Sequence, residues 1–226
     1  MTSIYRRALG AEFERLHPEL QRRFGLHSGG GVASIGTGCM EEMWRGPWWS
    51  TPFLVLGAWR NIMFPERGSD VPFTVENYPY VDGFGRETVT WVRTFQLPRR
   101  PRRFDASMVF SEQRGLVVDY LGNHQHLAVD IHLSVDEEGA LLLRSGEQRF
   151  YEGPLAFRFP PALSGVAEVR EGYDAGRERF TIDVKVSNER FGLLFGYRGW
   201  FVAEERELAR RRAPAHVRPL REERRE

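Results

Sequence analysis

The stretch FTIDVKVS, residues 180–187, alternates strictly between apolar and polar side chains. Its four apolar residues occupy every second position and share one face of an extended chain: Phe180, Ile182, Val184 and Val186. This two-residue period predicts a β-strand with one buried face and one solvated face. The stretch LAVDIHLSV, residues 127–135, repeats the pattern. We therefore expect antiparallel strands, which commonly bury only one face.

Similar strand signals fill the chain from residue 71 onward, where turn residues separate runs rich in Val, Phe, Tyr, Trp and Thr. Strands are predicted at 71–81, 87–97, 103–112, 115–121, 126–136, 140–151, 166–173, 179–187 and 193–203. Short links such as DGFG (82–85) predict antiparallel hairpins, because parallel strands need longer crossovers. With a possible strand at 32–44, the sequence predicts a mainly β fold. About ten strands form an antiparallel meander that closes into a barrel or a strongly curled sheet. An α+β fold is the alternative.

Two helical regions and a tail complete the predicted domain. Six apolar residues at helical spacing predict helices within residues 1–25: Tyr5, Leu9, Phe13, Leu16, Leu20 and Phe24. A second, almost wholly apolar helix is predicted at 52–63, between Pro52 and Pro65. We expect one barrel-like domain over 1–203, covered by this apolar helix, and a charged tail over 204–226.

Length and charge exclude several classes of protein. The chain has 226 residues and a net charge of +1, so no basic field points to a nucleic acid partner. Cys39 is the only cysteine, which rules out an internal disulfide framework. No apolar run reaches the length of a membrane-spanning helix, and the N-terminus lacks the apolar core of a signal peptide. We therefore expect a soluble, cytoplasmic protein.

Four segments carry a resemblance to a known family. They are IYRRALGAEFERLHPELQRRF (4–24), ETVTWVRTF (87–95), VVDYLG (117–122) and GLLFGYRGW (192–200). Together they resemble an uncharacterised bacterial family, the domain of unknown function 4166, over most of residues 4–202. The resemblance implies a bacterial protein and carries over no established activity, catalytic residue or cofactor.

Aromatic residues flank an arginine on one face of the predicted strand 87–97. Trp91, Arg93 and Phe95 alternate with Thr90, Val92 and Thr94. Because a closed barrel can hold one small ligand, we expect a small, largely apolar molecule inside it, with Arg93 binding a carboxylate head. The full candidate set is Trp91, Arg93, Phe95, Tyr120, Tyr197 and Arg198. In the alternative interpretation Arg93 forms a structural ion pair, with Glu76 or Asp119.

Three histidines and an aspartate offer a second kind of site. His124, His126, Asp130 and His132 have even spacing, so one strand face could present them all. Imidazole and carboxylate groups bind transition metals, and this face could serve a small-molecule enzyme with or without a metal. A solvated outer face is the simpler interpretation. Many carboxylates could act as an acid–base pair, but the sequence singles out no catalytic residue.

Four of the six tryptophans lie in one segment, residues 44–64: Trp44, Trp48, Trp49 and Trp59. Tryptophan and arginine at the edge of an apolar helix suit a membrane interface, so a peripheral membrane or protein contact is a third hypothesis. The same residues would also suit a helix that covers the mouth of the barrel.

Overall fold

The computed structural model describes residues 1–48, 51–160, 164–209 and 213–226. Within them, the strands are β1 (Val32–Arg45), β2 (Gly68–Val81), β3 (Glu87–Phe95), β4 (Arg102–Ser111), β5 (Leu116–Leu121), β6 (Leu127–Val135), β7 (Leu141–Glu152), β8 (Leu155–Arg158), β9 (Val166–Asp174), β10 (Arg179–Asn188) and β11 (Gly192–Glu207). The α-helices are α1 (Ile4–Leu9), α2 (Pro18–Phe24) and α3 (Thr51–Trp59). Short 3₁₀ helices lie at Gly10–Arg15, Ser28–Gly30 and Ala215–Val217.

Ten of these strands form a closed antiparallel barrel. Each pairs with its neighbour along the chain from β1 to β7, then β7 pairs with β9, and β9 to β11 continue the order. The ring closes where β1 pairs with β11 along almost the whole length of both strands. The short strand β8 lies outside the ring and pairs with the end of β7. The prediction of a mainly β meander that closes into a barrel is confirmed, and the α+β alternative is not adopted.

Strand direction assigns every connection to one of the two ends of the barrel. The first end, here the helical rim, comprises residues 1–31 and the links 82–86, 112–115, 136–140 and 175–178. The second, here the tryptophan rim, comprises the links 46–67, 96–101, 122–126, 153–165 and 189–191. Neighbouring antiparallel strands exchange ends at each link, so this assignment follows from topology alone.

The N-terminal segment closes the helical rim. The predicted helical region is divided into α1, a 3₁₀ turn and α2, with Pro18 in the first turn of α2. Six side chains at the predicted spacing are buried against the interior of the barrel: Tyr5, Leu9, Phe13, Leu16, Leu20 and Phe24. Burial of one apolar stripe is what the helical period requires.

Helix α3 lies at the tryptophan rim and ends at Trp59, four residues before the predicted end at 63. Among the side chains of α3 and of the link after it that the structure describes, Leu54 and Phe64 are buried. The ring of Phe64 packs at 5.0 Å from that of Phe95 and 5.1 Å from that of Phe195. No helix in the described part of the chain is long and apolar enough to cross a bilayer.

The C-terminal segment packs along the outer wall of the barrel. Strand β11 extends to Glu207, past the predicted end at 203, and residues 213–226 follow the wall. Val217 is buried in a cluster with Tyr78 and Val92. The backbone N–H of Glu223 donates to the Gln125 side chain at 2.6 Å. The charged composition of this segment predicted a tail, but tertiary contacts hold its described residues in place.

Candidate ligand-binding site in the barrel interior

The structure brings four of the six candidate ligand-binding residues together inside the barrel. Trp91, Arg93 and Phe95 point inward from β3, and Tyr197 points inward from β11. All four are at most 4% exposed. Odd-numbered positions of both strands face the interior, as strand alternation requires.

Arg93 is held by contacts on several sides. Its Nε donates to the Phe104 carbonyl oxygen at 3.2 Å, and its Nη1 donates to the Tyr197 hydroxyl at 3.2 Å. The guanidinium lies 3.8 Å from the centre of the Phe104 ring and 5.5 Å from that of Trp91. Such a cation–π arrangement stabilises a positive charge that burial has separated from water.

Asp119 supplies a carboxyl group to the same interior. It is 5% exposed, and its Oδ1 has no hydrogen-bond partner among the described residues. Burial raises its pKa to about 7, against the attraction of Arg93, which lowers it. A buried carboxyl group without a partner is costly, and such groups are concentrated at functional sites.

A second charged pair lies nearer the helical rim. Arg23 of α2 donates through Nε to Glu171 of β9 at 2.6 Å and through Nη1 to Ser34 at 2.7 Å. Burial raises the pKa of Glu171, and Arg23 opposes that shift. Arg23 Nη2 and Glu171 Oε2 are buried and have no hydrogen-bond partner in the described part of the chain. Sequence analysis missed this pair, although the alternation of β9 places Glu171 on the inward face.

Side chains of the barrel itself occupy much of the interior. The most deeply buried aromatic residues that point inward from strands are Phe73, Trp91, Phe95, Phe195, Tyr197 and Phe201. Trp91 donates to the Tyr5 hydroxyl of α1 at 2.7 Å, which ties the helical rim to this group. Two pockets, of about 140 and 500 Å³, lie instead between the outer wall and residues of the C-terminal segment.

Two candidate ligand-binding residues lie outside the barrel, so their assignment to an interior site is corrected. The Tyr120 side chain points outward from β5 and donates to the backbone oxygen of Arg225 at 2.9 Å. Arg198 is exposed on the outer face of β11 and pairs with Glu42 at 2.7 Å. Each is adjacent in sequence to an inward residue, Asp119 or Tyr197, and neighbours on a strand face opposite ways.

The four residues proposed as a metal-binding face do not form one cluster, because they make separate contacts. Asp130, on the outer face of β6, accepts hydrogen bonds from Arg149 at 2.6 Å and Arg114 at 2.7 Å. Burial opposes its ionisation, but these two arginines outweigh burial and lower its pKa. Its carboxylate oxygens are therefore already engaged by cations. Among the described residues, no group of three or more possible ligands is placed to hold a metal ion.

The histidines also differ from the expected arrangement. Strand β6 begins at Leu127, so His124 and His126 lie in the preceding link rather than in the strand. Their rings stack with centres 5.4 Å apart, and His126 Nδ1 lies 2.7 Å from a carboxylate oxygen of Glu152. His132 is exposed on the strand itself.

Two of the three tryptophans that the structure describes in the tryptophan-rich segment are exposed. Trp48 is 81% and Trp59 is 79% exposed. Trp44 lies on the outer face of β1, and its ring packs so closely over Gly196 of β11 that no larger residue would fit there. Trp49, the fourth member of the predicted contact, lies outside the described residues.

Fold and interior together define a closed ten-stranded antiparallel barrel with ionisable side chains buried at its centre. The chain belongs to the family described as domain of unknown function (DUF4166), whose model matches residues 16–201. It is 34% identical over 207 residues to an uncharacterised protein, YndH, of Bacillus subtilis (strain 168). That alignment covers 92% of this chain and all of the relative. The predicted family is confirmed.

Proposed function

We propose that the barrel binds one small, largely apolar molecule, whose carboxylate lies beside Arg93. The observation that carries this proposal is that Asp119 is buried in the same interior as the Arg93–Tyr197 hydrogen bond and within electrostatic range of Arg93, while its Oδ1 has no hydrogen-bond partner among the residues that the structure describes. Barrels of eight or more strands can enclose one small ligand. Ligand sites of this kind combine apolar walls with a few polar groups that fix orientation.

Charge balance favours an anionic head. Because the pKa of Asp119 is raised to about 7, this carboxyl group is mostly neutral in slightly acidic solution. The two buried arginines, Arg23 and Arg93, then face a single ionised carboxylate when Glu171 is charged. A ligand carboxylate beside Arg93 would balance the remaining positive charge.

The apolar body of the ligand would lie among the inward aromatic rings toward the tryptophan rim. Phe64 and Leu54 are buried side chains through which the α3 segment covers that end. The helical rim, in contrast, is held by seven buried apolar side chains of the N-terminal segment and by Arg23. In this proposal the ligand enters where displacement of Phe64 gives access to Phe95 and Phe195.

Decanoate and decanol test the proposal, because they share an apolar chain and differ in the charge of the head. Native mass spectrometry of purified protein comes first, with organic extraction of any bound molecule. We then expect calorimetry to show at least about tenfold tighter binding of decanoate than of decanol, as one buried charge-assisted contact would give. Equal affinities, or no binding of either probe, would refute the carboxylate site.

Variants separate a ligand contact from a structural role. Arg93→Met should abolish the preference for decanoate, and Tyr197→Phe should keep it because Arg93 retains its charge. If Arg93→Met fails to fold, the pH dependence of decanoate binding by Asp119→Asn tests the proposal instead.

The affinity of the parent for decanoate should fall from about pH 6 to about pH 8, because Asp119 ionises beside the site over this range. Asp119→Asn should lose this dependence on pH. The same pH dependence in both proteins contradicts the proposal.

A further inference from the structure

Exposed apolar side chains are concentrated at the tryptophan rim. Six of them come from two separate links and the residues around them: Trp48, Val55, Leu56, Trp59, Leu155 and Phe157. Leu56 is 63% exposed and Leu155 is 54% exposed, and strands β1, β2, β7 and β9 bring their links to the same end. Exposed large apolar side chains that gather at one end of a domain, rather than lying singly over its surface, favour an interaction site at that end.

Arginines accompany this apolar surface. The links of the tryptophan rim contain six arginines and two glutamates, whereas the hairpin links of the helical rim contain three arginines and six acidic residues. All six arginines of the tryptophan rim are exposed: Arg60, Arg67, Arg99, Arg100, Arg158 and Arg190. Within the described residues, Arg67, Arg99 and Arg100 form no ion pair with a carboxylate. Their positive charge is available to an external anion.

We propose that the tryptophan rim docks on an anionic membrane surface. Helix α3 has nine residues and cannot cross a bilayer, but its exposed Leu56 and Trp59 suit insertion to the depth of the headgroups. Tryptophan is favoured at that depth because its ring is apolar and its N–H can reach a polar partner. The surrounding arginines would attract acidic lipid headgroups. This inference is independent of the ligand proposed above.

A lipid surface fits these observations better than a protein groove does. The apolar residues lie on links that project from the end of a barrel, and a flat deformable surface can contact them together. The positive charge of the links also orients the molecule: with residues 1–31 included, the helical rim has eight arginines and nine acidic residues, whereas the tryptophan rim has six arginines and two glutamates, so anionic lipid attracts the tryptophan rim.

Vesicle sedimentation of the full chain tests the proposal. We expect the protein to sediment with vesicles that contain phosphatidylglycerol, and much less with phosphatidylcholine alone. Leu56→Asp combined with Trp59→Asp should weaken binding by about tenfold or more. Phe84→Asp is the matched control, since Phe84 is an exposed apolar residue in a hairpin of the helical rim. It should sediment like the parent.

Charge reversal supplies a second, independent readout. Arg99→Glu with Arg100→Glu should weaken binding to anionic vesicles by about tenfold or more, and added salt should reduce binding by the parent. Arg177→Glu, at an exposed arginine of the helical rim, should change it little. Thermal unfolding and light scattering of every variant establish that it is folded and report its oligomeric state.

Three outcomes would overturn the proposal. The first is a parent protein that stays in solution with both kinds of vesicle. The second is equal binding by the parent and by the Leu56→Asp, Trp59→Asp variant. The third is a parent dimer that this variant converts to a monomer, since a second copy of the chain would then cover the rim.

Discussion

The two rims of the barrel use apolar residues in opposite ways. At the helical rim, the amphipathic N-terminal segment turns its apolar stripe inward, and seven of its apolar side chains are buried. At the tryptophan rim, α3 is apolar on nearly all sides; of its side chains that the structure describes, Leu54 is buried, while Leu56 and Trp59 face outward. The amphipathic segment therefore stabilises the fold at one end, whereas the almost wholly apolar segment forms an exposed surface at the other. Substitutions at the two ends should differ accordingly.

The sharpest test at the helical rim is Arg23→Ala. Loss of this guanidinium leaves Glu171, which is fully buried, without its cation. Breaking a buried ion pair in this way costs about 3–5 kcal/mol of unfolding free energy. Urea denaturation should show this loss. The neighbouring Arg22→Ala is the control, because Arg22 is 62% exposed and surface pairs contribute at most about 1 kcal/mol. Equal losses of unfolding free energy at the two positions would contradict the stabilising role of the buried Arg23–Glu171 pair.

Between the rims, Asp119→Asn should change how stability depends on pH. The pKa of Asp119 is about 7 in the folded protein and 3.8 as its ordinary value, so the unfolded chain ionises first as pH rises. The parent therefore loses stability between about pH 4 and about pH 7 because of this group. Asparagine cannot ionise and escapes that loss.

The measurement is the difference in unfolding free energy between this variant and the parent. The unfolding free energy of the variant, relative to that of the parent, should rise by up to about 4 kcal/mol between about pH 4 and about pH 8. This rise corresponds to about 1.4 kcal/mol per pKa unit. Asp183→Asn, at an exposed position on the outer wall, serves as control. A difference that does not change with pH would mean that water reaches Asp119 and that the centre of the barrel is wet.

At the tryptophan rim, Phe64→Ala should have the largest effect on stability. Its ring is fully buried against Phe95 and Phe195, so its removal should cost about 3 kcal/mol in chemical denaturation. Phe157→Ala, at a half-exposed ring of the same rim, is the control and should cost less than about 1 kcal/mol. If the two substitutions cost the same, Phe64 does not anchor this end.

Much of the fold could be predicted from sequence because the alternation of apolar and polar residues follows the two-residue period of a half-buried strand. Strand β10 matches its predicted range to within one residue. Strand β8 lies inside the stretch PLAFRFPPAL, residues 154–163, whose three prolines are typical of a turn rather than a strand. The packing of the C-terminal segment depends on single contacts, such as that between Glu223 and Gln125, which leave no periodic signal.

The candidate site was only partly predictable, because alternation shows which residues share a strand face but not which face points into the barrel. Alternation placed Trp91, Arg93 and Phe95 on one face, and the structure places that face inside. In β5 both faces carry large side chains, so the sequence could not tell whether Asp119 or Tyr120 pointed inward. Arg23 comes from a helix and meets Glu171 across 148 positions of sequence, a separation that only the folded barrel reveals.

The smallest effect should come from Trp59→Ala, and it is the most informative about the exposed surface. Its ring is 79% exposed, so the loss of unfolding free energy should be less than about 0.5 kcal/mol, the usual range for a surface substitution. Tryptophan fluorescence supplies the second measurement, because vesicles containing phosphatidylglycerol should shift the emission of the parent to shorter wavelength, and this variant should show a smaller shift. A large loss of stability instead would mean that Trp59 packs against its own chain in solution. The contrast between a buried helical rim and an exposed tryptophan rim would then not hold at Trp59.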